Sequence, residues 1–175
     1  DSSSSITVTG VDSIGIVAAN DTEVLNKGII QIDGENSVGI FGVNTIDDPI
    51  SLLGYGTGGI NIVHEGEIKS TALSGERYGI YANNNATTGV ATADSKIKTA
   101  ANSKIDLSSG KGGVGIYANK STVTHGGEIS LFSDGTGSSS GSGIYVLNDS
   151  EVEITTSGSV TVAGDKGYGL FLGNS

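Results

Sequence analysis

The chain has 175 residues, with 29 Gly, 1 Pro, no Cys, Met or Trp, and a net charge of −10. So little bulky apolar volume excludes a wide globular core, and zero Cys excludes a disulfide framework or a thiolate metal site. Its one Arg and scattered Lys exclude a phosphate-binding stripe for nucleic acid, and no apolar run approaches the ~20 residues of a membrane helix.

Taken in chain order, one phrase recurs: Ser13-Ile14-Gly15-Ile16-Val17, Ser37-Val38-Gly39-Ile40-Phe41, Arg77-Tyr78-Gly79-Ile80-Tyr81, Gly113-Val114-Gly115-Ile116-Tyr117, Gly141-Ser142-Gly143-Ile144-Tyr145 and Gly167-Tyr168-Gly169-Leu170-Phe171. The central glycines are 24, 40, 36, 28 and 26 residues apart, and Gly59-Ile60 divides the longest step in two. Five residues beyond the central Gly stand Asn20, Asn44, Asn84, Asn148 and Asn174, with Lys120 breaking the column. Between these phrases runs a second one, apolar then Gly then alternating apolar: Val24…Gly28-Ile29-Ile30-Gln31-Ile32, Ile62…Gly66-Glu67-Ile68, Val123…Gly127-Glu128-Ile129 and Ile154…Gly158-Ser159-Val160. Ser103-Lys104-Ile105-Asp106-Leu107 follows the same pattern with Ser for Gly.

Alternation with period two makes these segments strands, and the turn residues between them leave three short strands per repeat. Three strands and three bends in 20–30 residues make one coil of a parallel β-helix. The expected fold is all-β: a right-handed solenoid of about five to six coils, continuous over 1–175. Its core is expected to stack Ile30, Ile68, Ile105, Ile129 and Val160 in one column, and Ile16, Ile40, Ile80, Ile116, Ile144 and Leu170 in another. Asn at a fixed bend suits the left-handed conformation and an amide ladder between coils. Insertions are expected to leave the shaft as loops at 45–58, 85–94 and 133–142. Lacking an initiator Met and a signal peptide, the chain is expected to be a piece of a longer protein.

The phrases Gly79-Ile80-Tyr81-Ala82-Asn83-Asn84 and Gly113-Val114-Gly115-Ile116-Tyr117-Ala118-Asn119-Lys120, the latter followed by Ser121 to Ile129, resemble the passenger repeats of type Va autotransporter adhesins. The likeness is greatest to the large fusobacterial surface adhesins and extends over the whole chain as a repeat style. It implies a bacterial cell-surface location, with outer-membrane anchoring through a barrel outside this chain. It also implies a monomeric shaft and adhesion to a protein or glycan on host cells or other bacteria.

Several motifs match catalytic signatures only in spelling. Gly54-Tyr55-Gly56-Thr57-Gly58-Gly59 has dinucleotide-binding spacing, but the strand pattern Ile60-Asn61-Ile62 follows where a helix is needed. Gly137-Ser138-Ser139-Ser140-Gly141 spells a nucleophile elbow, yet both His64 and His125 precede it. Those histidines share a register beside Glu65, Glu67 and Glu128, and are expected to be exposed bend residues two coils apart rather than metal ligands. Glu67, Lys104 and Glu128 form one column of alternating charge, read as a surface ladder. No cofactor, metal or catalytic residue is expected.

One feature points to binding. Phe41, Tyr81, Tyr117, Tyr145 and Phe171 each follow an inward Ile, so they should line an outward aromatic stripe. Such a stripe serves either as a platform for a partner or as a stack that stiffens the shaft. The expected function is an adhesive segment without enzymatic activity. The alternatives are a spacer that binds nothing and, on the same fold, a polysaccharide-acting enzyme.

Overall fold

The structure, a computed structural model, describes residues 4–19, 21–44, 59–84, 95–135 and 141–174. The chain winds through β1 (Ser5–Val8), β2 (Ile14–Ala19) and β3 (Glu23–Asn26), then β4 (Ile29–Ile32), β5 (Ser37–Val43) and β6 (Asn61–His64). It continues through β7 (Glu67–Lys69), β8 (Arg77–Asn83) and β9 (Ser95–Thr99), then β10 (Lys104–Leu107), β11 (Val114–Asn119) and β12 (Ser121–His125). The last turns comprise β13 (Glu128–Asp134), β14 (Ser142–Leu147) and β15 (Glu151–Ile154), then β16 (Ser159–Asp165) and β17 (Tyr168–Gly173). Every third strand pairs in parallel with the one before it. Sheet A is β1-β4-β7-β10-β13-β16, sheet B is β2-β5-β8-β11-β14-β17, and sheet C is β3-β6-β9-β12-β15. The fold is a parallel β-helix.

Both expected apolar columns stand in register inside it. Ile30, Ile68, Ile105, Ile129 and Val160 pair successively in sheet A, with Ile6 beneath them. Ile16, Ile40, Ile80, Ile116, Ile144 and Leu170 do the same in sheet B. Val24, Ile62, Ile97, Val123 and Val152 complete the lining from sheet C. Each fully buried Ile contributes about 1.5–3 kcal/mol, so a core one side chain thick suffices when it is repeated along the axis.

The repeated Gly follows from how closely the sheets approach. A Cβ on Gly115 would lie 2.6 Å from Ile129 Cγ2 and 2.5 Å from the Gly143 carbonyl oxygen. At Gly79 the same clash falls on Ile105 Cγ2 and the Gly115 carbonyl. The Ile column of sheet A therefore fills the space that a side chain in sheet B would need.

Two expectations about register are corrected, and one loop is more closely bounded. Gly59-Ile60 is not a step of sheet B: β5 pairs directly with β8, and Ile60 is a buried residue leading into β6. Ile154 is not in the Val24 column, because Val152 pairs with Val123 and Ile154 pairs with His125. The turn at 155–158 is longer than its counterpart at Gly126-Gly127 and moves the second phrase out of step. The expected loop at 133–142 is narrower, since β13 runs to Asp134 and β14 begins at Ser142.

Candidate binding faces

Sheet B carries the aromatic stripe on its outer face. Phe41, Tyr81, Tyr117, Tyr145 and Phe171 are in register, half-buried, each beside an inward Ile or Leu. Their rings stack on one another. The Tyr81 and Tyr117 centroids lie 4.3 Å apart at 7°, and those of Tyr145 and Phe171 lie 4.4 Å apart at 9°. The other two steps open to 5.3 and 5.7 Å. Tyr78 and Tyr168 pack edge-on against Tyr81 and Phe171, widening the aromatic surface at two levels. Stacking turns the ring faces toward each other and presents edges and hydroxyls outward. Burial, then the charge of Tyr81, a hydrogen bond with it and the charge of Tyr145, push the Tyr117 phenol up to about 12.

The charge distribution around the shaft is uneven. The six strands of sheet B contain a single charged residue, Arg77, which is 2% exposed. Sheet A has an ionic checkerboard on its outer face: Glu67, Lys104 and Glu128 share one column, and Lys69 and Asp106 share the next. Its ion pairs run along the strands, Lys69 to Glu67 at 3.2 Å and Lys104 to Asp106 at 3.3 Å. Sheet C shows Lys96, Lys98, Glu151 and Glu153 to solvent. In a chain of net charge −10, sheet B is thus the one uncharged face.

The Asn column is a bend device that changes form along the shaft. Asn44 Nδ2 donates to Asn84 Oδ1 at 2.9 Å, and Asn84 Nδ2 donates to the Lys120 carbonyl at 3.1 Å. Where Lys120 interrupts it, the ladder moves one residue back. Asn148 Nδ2 donates to Asn119 Oδ1 at 2.8 Å, and Asn119 Nδ2 donates to Asn83 Oδ1 at 3.0 Å. The left-handed conformation expected of the column falls to Lys120 (φ 48°) and Asn148 (φ 46°), not to Asn44 or Asn84. The cause is bend length: β11 and β12 are joined by Lys120 alone, whereas longer segments follow Asn44 and Asn84. Asn174 is exposed beyond β17, and Asn20 lies outside the described residues, as do 45–58, 85–94 and 136–140 of the expected loops.

The expectation of exposed histidines is overturned. His64 and His125 are 0% and 1% exposed and point into the shaft, at a corner column that also holds Asn26 and Thr99. His64 Nδ1 accepts from Asn26 Nδ2 at 3.0 Å, and its Nε2 donates to the Lys104 carbonyl at 3.1 Å. His125 Nδ1 accepts from Thr99 Oγ1 at 2.7 Å, and its Nε2 donates to the Ser159 carbonyl at 3.0 Å. Each ring is a neutral strut between three successive coils. Burial holds both imidazoles below their usual range, and the carbonyl hydrogen bonds oppose it. Strand phase was the available signal, because both residues fall two positions after an inward apolar residue, Ile62 or Val123.

Arg77 is likewise structural. Its guanidinium donates to the carbonyls of Gly75, Ser74 and Asp33, tying the segment before β8 to the coil beneath. Among the described residues no group of three His, Asp or Glu is arranged to hold a metal ion. No protein family, curated protein or solved structure matches this chain.

Proposed function

We propose that this chain is an extracellular adhesive segment of a bacterial autotransporter-type passenger, attaching to a surface protein or neutral glycan on host cells or other bacteria without performing chemistry. The observation that supports this reading is the uncharged, aromatic outer face of sheet B in an otherwise acidic shaft. Phe41, Tyr81, Tyr117 and Tyr145 are half-buried on that face, and Tyr hydroxyls with the Asn83 amide add polar edges. Surfaces depleted of charge and rich in Tyr are those that proteins use to recognise one another. Repetition along the axis multiplies weak contacts. The segments 45–58, 85–94 and 133–142 flank the faces in sequence and are the second expected source of contacts.

A spacer role has one observation in its favour, the stacking of the rings on one another, which stiffens a shaft and occupies the ring faces. The test is binding of the 175-residue chain to epithelial cells, partner bacteria and a glycan array. The comparison is with a Tyr81→Ser, Tyr117→Ser, Tyr145→Ser variant. Saturable binding lost in the variant supports the adhesive face. A folded chain that binds none of the three overturns it in favour of the spacer.

A further inference from the structure

The outer face of sheet C has a charge order that sheets A and B lack. In three successive coils it presents Lys96 and Lys98, then Thr122 and Thr124, then Glu151 and Glu153, in strict register. The four charged residues are exposed, and none of their side chains has an ion pair or hydrogen bond among the described residues. Elsewhere on the shaft Lys27, Lys69, Lys104 and Lys111 all have carboxylate partners. The Lys row and the Glu row are two coils apart, about 10 Å, roughly a Debye length in ordinary buffer, so they scarcely neutralise each other. Within each row two like charges stand side by side on one strand and repel.

A row of two positive charges, a hydroxyl row and a row of two negative charges is self-complementary under one operation. Rotating a second copy by half a turn about an axis along β12, lying in the plane of the face, places its Glu row over this Lys row. The same rotation places its Lys row over this Glu row, and the two Thr rows meet on the axis. Lys96 then faces Glu151 of the second copy, Lys98 faces its Glu153, and the reciprocal pairs form by symmetry. Turning the second copy about the shaft axis instead sets Lys against Lys and Glu against Glu, so parallel shafts repel at this face.

We propose that sheet C is a self-association face, through which two copies of this chain pair with their shafts antiparallel. The occupant is argued from charge complementarity alone and is independent of the adhesive reading of sheet B. It departs from the monomeric shaft that the repeat resemblance implies. Three coils span about 10 Å along the axis, far below a standard interface, so each pairing is weak. At that affinity the pairing acts where copies are crowded together.

Sedimentation equilibrium of the 175-residue chain up to millimolar concentration tests the proposal, with a charge swap as the discriminating step. The Lys96→Glu, Lys98→Glu variant and the Glu151→Lys, Glu153→Lys variant should each associate at least about tenfold more weakly than the native chain. An equimolar mixture of the two should recover association, because every facing pair is then opposite in sign. Recovery also shows that both variants are folded, and circular dichroism of each alone gives the same check. A Lys96→Gln, Lys98→Gln variant should fall between the native and reversed chains. A native chain that stays monomeric throughout overturns the proposal. So does association that charge reversal leaves intact, or a mixture of folded variants that recovers nothing.

Discussion

The imidazole of His125 lies 2.7 Å from the hydroxyl of Thr99, one coil away and inside the shaft, where the same hydroxyl accepts the Gly126 amide at 3.1 Å. That arrangement is saturated with His125 neutral. A proton added at Nδ1 would turn an acceptor into a donor facing a hydroxyl whose own hydrogen would then need a new acceptor. His64 meets the same constraint against Asn26.

Acid should therefore weaken the fold earlier than carboxylate titration alone would. Both His groups have folded-state values below the ordinary imidazole value of 6.5, so the unfolded chain binds protons first. Their stabilisation is complete above pH 6.5 and is lost as the pH falls from there toward the lowered values, by up to about 1.4 kcal/mol per pH unit for each ring. Asp33 and Asp106 act lower: burial raises their values, but hydrogen bonds from Gln31, Thr71 and Ser70, and from Ser108 and Lys104, outweigh it. Their stabilisation is lost only as the pH falls below 3.8. Urea midpoints measured from pH 7.5 to 5 should decline in the native chain and decline less in a His64→Asn, His125→Gln variant. Equal slopes would count against the His struts.

A matched pair of glycine substitutions isolates the close approach of the sheets. Gly115→Ala should cost about 1–3 kcal/mol, because its Cβ would meet Ile129 and the Gly143 carbonyl. Gly169→Ala, at the same position of the repeat, should be close to neutral, since nothing lies within 4 Å of its Cβ. Denaturant unfolding of the two variants of the 175-residue chain makes the comparison. Similar losses at both sites would assign the Gly requirement to the backbone rather than to packing.

The ring ladder should be visible in alkali. Tyr117, with its value raised to about 12, should ionise after an unperturbed phenol, and Tyr117→Phe should remove a late step from a spectrophotometric titration. Because the folded value exceeds the unfolded one, this group's stabilisation is complete below pH 10 and fades as the pH rises through about 12.

Arg77→Lys should loosen the segment before β8 although it keeps the charge. The guanidinium reaches the Gly75, Ser74 and Asp33 carbonyls together, and an ammonium on a thinner stem cannot bridge them in one plane. Hydrogen exchange at residues 71–76 should accelerate, with β11 and β12 unchanged.

Columns built from one kind of residue were legible in the sequence. The Ile columns of sheets A and B and the aromatic column all rest on a phrase repeated with little change, so spacing alone aligned them. What spacing could not show was how the bends absorb extra residues. The added residues between Ile154 and Ser159 displaced one phrase, and Gly59-Ile60 imitated a step that the chain never takes. The histidines were misplaced for another reason. Hydrophobicity assigns a polar side chain to the outside, whereas His64 and His125 are accommodated inside because both ring nitrogens find partners in neighbouring coils. The charge order of sheet C was hidden because its rows are more than 20 residues apart in the chain and meet only in the register of β9, β12 and β15.

Ala82 and Ala118 stand opposite each other although the strands that carry them lead into connections of very different length, residues 84–94 after β8 and Lys120 alone after β11. Chain length is thus decoupled from shape at this corner. The coil above keeps its register whichever length the connection has, so the corner tolerates insertions that the strands would not. It is also where a foreign peptide could be grafted: ten residues inserted at Lys120 would make that connection no longer than the one that already follows β8.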